Sequence, residues 1–413
     1  MHMRTTSSKA KEYVPFLSAF YANRPFLNQV IIHAIYTTKF FAPRLVEVEN
    51  LVFSIFGCMR QYQINLILSC FLVFPLLSNA QVGGTHTYAF LDLTNSARIA
   101  SLGGKMVPIY DNDLNLPYFS PSLLNPQMDN HLVLNYVNYF ADVKYGYASY
   151  ARTYKGIGTF AAGIHYVNYG NFIAANDVGL ITGSFQASEY ALNLIYSREI
   201  DSNFTVAANL KTIYSSLENY QSSGLATDLG LTYHTADQLF VASIVLRNLG
   251  FQFKSYYNAQ QEPLPFEIEL GVSQKLQFAP FRFMLTLQQM QKPDLTYSLP
   301  ESQQKIDPVT NQPVQQDKLS LFSDKVLRHM IFGLEFIPIK SFSFRAGLNY
   351  ERRKEMMIDT KPGAIGFSWG FGLNLSKFQL SYGRAAYHLA GASNLFSINI
   401  NLSEFIHKNE VPE

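Results

Sequence analysis

Histidine, serine and carboxylate side chains are the first candidates for chemistry in this sequence. Ser8 and Lys11 have the Ser-x-x-Lys spacing of a β-lactamase, but Lys-Thr-Gly is absent, as are Gly-x-Ser-x-Gly and a phosphate loop. The histidines between residues 130 and 400 stand apart in sequence, without metal-ligand spacing: they are His131, His165, His234, His329 and His388. We therefore predict that the chain is not an enzyme and uses no metal or cofactor.

Carboxylates at alternating positions offer a second kind of chemistry. Glu267 with Glu269, or Glu335 with Asp228, would meet if their segments lined one lumen, as paired acids for proton transfer do. Polar side chains in a barrel lumen more often bind one another and water, so we predict a structural role for them. The candidate lumen and hatch residues are Arg98, Asp228, Glu335, Arg345 and Glu351.

Apolar and polar side chains alternate in the segments that carry these residues, with the polar face of 187–198 broken only by Ala191 and Ile195. In residues 187–198 the apolar face holds Tyr190, Leu192, Leu194 and Tyr196, and the opposite face holds Glu189, Asn193 and Ser197. A two-residue period is typical of a β-strand with one buried face. The pattern alone fits a soluble sandwich and an outer-membrane barrel equally well.

The number of such segments and the lengths of their connections favour a barrel. We predict fourteen strands, over residues 131–142, 143–154, 156–169, 184–199, 203–217, 222–235, 237–249, 265–278, 280–290, 327–338, 341–353, 363–376, 377–387 and 393–402. After the third strand, long connections (170–183, 250–264, 291–326 and 354–362) alternate with short ones. Outer-membrane barrels sort their loops in this way. The predicted fold class is all-β, a 14-stranded transmembrane antiparallel barrel with long loops extracellular and both termini periplasmic.

The N-terminal 80 residues are predicted to lie outside the mature protein. Charges interrupt every apolar run in residues 1–58, whereas residues 59–80 combine Arg60, an apolar stretch and the Ser78-Asn79-Ala80 cleavage pattern of a signal peptide. We interpret residues 1–58 as an upstream over-extension of the reading frame, with a genuine cytoplasmic extension as the alternative. Both cysteines, Cys58 and Cys70, precede the cleavage site. The mature chain therefore has no disulfide.

Residues 81–130 lack the strand period and cluster Gly, Pro, Asn and Asp. We predict a hatch or plug inside the lumen of the barrel, which spans residues 131–402 and is followed by a tail of residues 403–413. Asp111-Asn112-Asp113 lacks the glycine and distal glutamate of a calcium loop and is predicted to be a solvated turn. Residues 1–80 hold 7 of the 32 basic and 3 of the 30 acidic side chains, which leaves 25 basic and 27 acidic. Nucleic acid is therefore not an expected partner.

Several short motifs of the mature chain resemble the PorQ family of the type IX secretion system. They are GGTHTYAFLDL at 83–93, SARIASLGG at 96–104, TDLGL at 227–231, LRNLG at 246–250, RAGLNYERR at 345–353 and YHLAG at 387–391. The resemblance implies an outer-membrane scaffold that holds a PorZ-like protein in an attachment complex with PorU and PorV. Long loops would then carry the docking surface.

Individual motifs among these, such as Asn-Leu-Gly at 248–250, also resemble the wider group of PorV and long-chain fatty-acid transporters. This resemblance implies a barrel with a hatch, and it leaves transport of hydrophobic small molecules as the alternative function. Tyr118-Phe119-Ser120-Pro121-Ser122-Leu123 stands where that group has Asn-Pro-Ala, with serine in place of asparagine and of alanine. The departure weakens the fatty-acid reading, and the polar residues expected in the lumen mildly favour the scaffold.

Overall fold

The computed structural model describes residues 86–140, 142–257, 261–296, 318–356, 363–388 and 391–406, without the side chains of His388 and Ile406. All of them belong to the compact unit Gln81–Glu413. Within these ranges no helix is long and apolar enough to cross a membrane. The predicted over-extension and signal peptide lie outside the described residues, so both stay predictions.

The described chain forms a closed antiparallel barrel of fourteen strands in which β1 pairs with β14. The strands are β1 (His131–Asn138), β2 (Lys144–Tyr154), β3 (Gly158–Ala175), β4 (Ile181–Glu199), β5 (Phe204–Leu217), β6 (Tyr220–His234), β7 (Phe240–Lys254), β8 (Glu267–Lys275), β9 (Phe281–Leu287), β10 (Met330–Ile339), β11 (Phe342–Asn349), β12 (Phe367–Asn374), β13 (Phe378–His388) and β14 (Gly391–Asn401). The predicted fold class and strand count are confirmed.

The faces of the strands follow the sequence period. On β4 the side chain of Leu192 is 47% exposed on the outer surface, whereas its neighbour Asn193 is fully buried toward the lumen. Glu267 and Glu269 on β8 are buried, as the alternation predicts. An outer surface of exposed leucine, isoleucine and aromatic side chains around a closed barrel is typical of a wall that faces lipid.

Strand length divides the barrel into two walls. The tall wall, β3–β7, has strands of 14 to 19 residues, and the short wall, β8–β12, has strands of 7 to 10. One rim, called the long-loop rim, carries the connections 255–266, 288–329 and 350–366, each of which begins or ends at a strand of the short wall. The opposite, short-turn rim carries connections such as 200–203, 276–280 and 340–341.

The alternation of loop lengths is therefore only partly right. The predicted loop 170–183 is mostly strand, because β3 and β4 extend into a hairpin whose connection is 176–180, and residues 218–219 alone join β5 to β6 on the long-loop rim. The predicted loop 291–326 contains helix α2 (Lys318–Arg328). Residues 350–353, predicted to continue a strand, instead begin helix α3 (Tyr350–Met356). Glu, Arg and Lys favour helix where no cross-strand partner is present.

The hatch fills the lumen with one α-helix and short 3₁₀ turns. It contains helix α1 (Ala97–Ser101), preceded by a 3₁₀ turn (Ala89–Asp92) and followed by three more (Leu116–Tyr118, Pro121–Leu123 and Pro126–Met128). Ser96 caps α1 by accepting a hydrogen bond from the backbone N–H of Ile99. Helix α4 (Ser403–Ile406) follows β14. For the described residues 86–130, a hatch in the lumen agrees with the predicted fold class.

The hatch runs from the long-loop rim to the short-turn rim. At its start the backbone N–H of Thr87 donates to the carbonyl of Pro263 in a rim connection (3.0 Å). At its end the carbonyl of Asn130 accepts from the N–H of Leu402, just after β14 (2.9 Å). The first and last described segments thus lie at opposite rims. The termini themselves lie outside the described residues, so the prediction that both share the short-turn rim stays a prediction.

Candidate functional site

Close backbone contacts seat the hatch against the barrel wall. Helix α1 lies on lumen-facing glycines of β11 and β13: a Cβ at Gly347 would sit 2.2 Å from the carbonyl carbon of Leu102, and one at Gly383 would sit 2.2 Å from the carbonyl oxygen of Ala97. No larger residue fits at either position without displacing the hatch backbone. The wall sequence is therefore matched to a hatch that is in place.

A cluster of buried ion pairs joins α1 to the short wall. This Arg98 cluster consists of Arg98, Asp111, Asp113, Arg282, Glu335 and Arg345. Arg98 Nε donates to Glu335 Oε1 at 2.9 Å and Nη2 donates to Asp111 at 2.8 Å. Arg282 and Arg345 reach the same Glu335 at 2.9 and 3.0 Å. Three arginines face three carboxylates, so the cluster is electrically balanced.

The second cluster surrounds Asp228 on β6. The Lys211 ammonium lies 2.7 Å from Asp228, and both side chains are fully buried. The register between β6 and β7 shifts at this point, and Asn248 takes a left-handed conformation (φ 56°). Its backbone N–H donates to Asp228 at 2.8 Å, and its side-chain oxygen accepts from Lys211 at 2.8 Å. Asp228 therefore stabilises a β-bulge between β6 and β7. This role accounts for the TDLGL and LRNLG motifs, which meet at the bulge.

The third cluster links the middle of the hatch to β7 and β8. Lys105 donates to Glu267, and Arg247 pairs with Glu269 at 3.0 Å. Arg247 also donates through Nη2 to the carbonyl oxygen of Leu91 in the hatch (3.2 Å). Because loss of one member of a buried pair leaves an uncompensated charge, such pairs hold the hatch in one position. The hatch is bound to the wall at several depths.

The structure brings together some of the predicted site residues and separates others. Arg98, Glu335 and Arg345 share one cluster, whereas Asp228 belongs to another, so the expected meeting of Glu335 with Asp228 is wrong. Glu351 leaves the strand and lies on α3, where its carboxylate accepts from Gln288. Sequence reasoning missed further members of the clusters, which are Lys105, Asp111, Asp113, Lys211, Arg247 and Arg282. For Lys211, Arg247 and Arg282 the available signal was a charged residue at a lumen-facing position of an alternating strand.

The expected solvated turn at Asp111-Asn112-Asp113 is also wrong. Asp113 is buried, and both aspartates bind Arg98. His165 faces the hatch and shares a hydrogen bond with the Tyr118 hydroxyl (2.8 Å). Across the part of the chain that the structure describes, no group of His, Cys, Asp and Glu side chains is arranged to hold a metal ion.

Two helices form the long-loop rim above β10 and β11. Asp324 on α2 accepts from Arg328 Nε (2.8 Å) and from the hydroxyl of Tyr350 on α3 (3.1 Å), and it lies 3.5 Å from the Lys354 ammonium. Burial disfavours the charged form, but the hydrogen bond and charge of Arg328 outweigh it and hold the pKa of Asp324 below its usual value. This carboxylate therefore fixes α2 to α3.

Glu351 on α3 has the opposite environment. Burial, followed by the neighbouring carboxylate of Glu355, raises the pKa of Glu351 to about 7. The rim thus contains an acid whose charge changes near neutral pH. The barrel strands below it contribute Glu267 and the hatch contributes Lys105 to its electrostatic environment.

Comparison with known proteins gives structural neighbours but no family. A scan against protein-family models and a search of curated proteins each found no match. Among solved structures, the chain is similar to a TodX monoaromatic hydrocarbon channel mutant (TM-score 0.44, 14% identity, 75% of this chain and 97% of that one). It is also similar to the Pseudomonas putida toluene transporter TodX (0.41, 13%, 74% and 96%) and to a Pseudomonas aeruginosa FadL homologue (0.39, 9%, 74% and 97%). The PorQ resemblance has no counterpart among these neighbours and stays a prediction.

Proposed function

We propose that this chain is an outer-membrane barrel with a closed lumen that works as a protein-docking scaffold at its long-loop rim. The observation that carries the proposal is the hatch. Its backbone lies against the wall at Gly347 and Gly383, and the ion pairs of Arg98 and Lys105 with wall carboxylates hold it in the lumen. Because the hatch occupies the lumen in this state, the surface that we propose for work is outside the barrel.

Helix α2 offers the docking surface on that rim. Leu319, Phe322 and Val326 recur at helical spacing on one side of α2, and the first two are 70% and 65% exposed. The other side is fixed to α3 through Asp324. An apolar helix face held in place by its polar side is a common protein-recognition element. The PorQ resemblance supports a PorZ-like occupant, together with PorU and PorV, as the particular partner.

The experiment compares two exposed apolar pairs on the same rim. Leu319→Ser with Phe322→Ser removes the apolar face of α2, and Val178→Ser with Leu180→Ser alters the β3–β4 connection on the tall wall. We expect the α2 double variant to lose the partner from outer membranes by affinity purification, while barrel abundance stays normal. Equal recovery of the partner with both double variants would overturn docking through α2.

The orientation of the rims has a separate test. The mature chain is predicted to lack cysteine, so single cysteines can be labelled without background. Lys325→Cys on α2 and Asp201→Cys on the short-turn rim both replace exposed side chains. A membrane-impermeant maleimide on intact cells is expected to label position 325 only. Labelling of position 201 alone would reverse the proposed orientation.

A second candidate function is transport of hydrophobic small molecules. The observation that favours it is a set of half-buried tyrosines packed on the apolar cluster at the outer end of the lumen: Tyr139, Tyr169, Tyr256 and Tyr387. Aromatic side chains at a barrel mouth are suited to a first contact with an apolar solute. Passage would then require the hatch to move, which separates this function from a scaffold.

A further inference from the structure

An apolar groove crosses the outer face of the short wall. It has a volume of about 520 Å³ and follows two adjacent cross-strand rows from β7 to β12. One row runs Val272, Leu285, Phe332, Leu348 and Phe367, and the other runs Phe240, Gln274, Phe283, Leu334 and Ala346. Five strand spacings of about 4.8 Å give it a length of roughly 24 Å.

The groove reaches from one rim to the other. Phe240 is the first residue of β7, next to the short-turn rim, and Phe367 is the first residue of β12, next to the long-loop rim. This oblique course is possible because the short-wall strands have only 7 to 10 residues. Ala346 provides a low point in the floor beside the exposed rings of Phe283 and Phe332.

Two arginines flank the outer end of the groove. The Arg353 guanidinium on α3 stacks over the ring of Phe367 at 5.0 Å and donates to the carbonyl of Ile365 at 3.3 Å. Arg384 on β13 is exposed and lies opposite Trp369 of β12 in the strand register. Its guanidinium donates to the side chain of Asn394 (3.3 Å). Within the described ranges, neither arginine has a carboxylate at ion-pair distance.

This combination is unusual for a lipid-facing surface. An arginine there is costly near the middle of the bilayer and less so near the interface, and it gains from a phosphate partner. Arg384 lies four residues before the end of β13, toward the long-loop rim. In contrast, the interior arginines Arg98 and Arg247 are paired with carboxylates. The two outer arginines thus lack the anions that the interior ones have.

We propose that the groove binds an acyl chain of a phosphate-bearing lipid of the outer leaflet, whose phosphate lies between Arg353 and Arg384. The inference rests on the proposed outer-membrane location and rim orientation. The bidentate geometry of arginine matches phosphate oxygens, and Phe367 separates the cationic end from the apolar course. Membrane lipid is the occupant because the groove lies within the lipid-facing wall and the unpaired charges at its outer end are positive.

The test uses the purified mature barrel in detergent, with diphosphoryl lipid A as the probe and its dephosphorylated form as the comparison. Native mass spectrometry measures the bound fraction against lipid concentration. We expect diphosphoryl lipid A to bind one per barrel and at least tenfold more tightly than the dephosphorylated form. Arg353→Gln with Arg384→Gln should remove that preference, since charge-assisted hydrogen bonds to the phosphate are lost. Ala346→Phe should block the groove and weaken both lipids.

Matched controls lie elsewhere on the barrel. Ala162→Phe enlarges an exposed side chain on the outer face of β3 in the tall wall, and Arg152→Gln alters an exposed arginine that lies 3.6 Å from Asp129. Both are expected to bind lipid A as the unaltered protein does. Equal affinity for the two lipid forms, or equal weakening by Ala162→Phe and Ala346→Phe, would overturn the site. Partner retention on cells is measured separately, so lipid binding and scaffold function can fail independently.

Discussion

Charged and apolar side chains have opposite surroundings in the interior of the barrel and on the outer face of its short wall. Inside, Arg98, Lys211 and Arg247 each have a carboxylate partner, and the hatch backbone meets glycine where it touches the wall. Outside, α2 exposes an apolar face, and Arg353 lies beside an open groove. Inside, these charges are paired within the protein, whereas the outside has groups that a partner or a lipid would pair. This difference is the basis for proposing that the working surface lies outside.

The largest expected effect comes from unbalancing the interior. Glu335 is 1% exposed and serves three arginines, so Glu335→Gln leaves their charges only partly compensated. We expect a loss of about 3–5 kcal/mol in barrel stability. Heat-modifiable gel mobility and urea unfolding measure it, and Glu404→Gln, at an exposed position on α4, is the control. Equal stability of the two variants would remove the contrast between interior and exterior charges.

Crowding the hatch is expected to have a smaller effect on stability but a clear effect on closure. Gly383→Ala places a Cβ against the Ala97 carbonyl, whereas Gly391→Ala places one in open space. We expect a cost of about 1–3 kcal/mol for the first and almost none for the second. Ionic current across planar bilayers should rise for Gly383→Ala only. Unchanged current would show that the hatch seals the lumen without this contact.

The strand plan was accessible to sequence reasoning because a two-residue period survives in any antiparallel wall. The hatch contacts were not, since Arg98 meets Glu335 across 237 positions and no local pattern encodes the pairing. Helix α3 was missed because the alternation of β11 continues into residues whose helical propensity prevails once cross-strand partners end. The outer groove arises from register between six strands, which single-strand alternation does not specify.

On the rim, pH should loosen α3 without affecting the barrel. The pKa of Glu351 is raised to about 7 from 4.5, so the folded helix favours the neutral acid. Its stabilisation is full below pH 4.5 and is lost as pH rises through 7. Hydrogen-exchange protection of residues 350–356, corrected for intrinsic rates, should fall over this range. Glu351→Gln should abolish the change, and persistence of the change would assign it to another group.

The smallest effect should come from the contact between the rim helices. Asp324→Asn weakens the charged contacts with Arg328 and Lys354, partly exposed pairs worth about 0.3–1 kcal/mol. We expect faster hydrogen exchange in α2 and α3, with no change in heat-modifiable mobility. Asp294→Asn, which alters a more exposed pair with Lys325, is the matched control. Barrel destabilisation by Asp324→Asn would mean that rim and wall are not separable.

A covalent lock on the hatch tests the account most directly. Ser122 in the hatch and Thr232 on β6 have their side-chain oxygens 2.7 Å apart, so Ser122→Cys with Thr232→Cys should form a disulfide in the mature chain. We predict that partner retention at the cell surface is the same with the lock oxidised or reduced, and that uptake of labelled oleate or toluene matches cells lacking the protein. Protein-dependent uptake that stops on oxidation and returns on reduction would contradict the scaffold and establish a transporter.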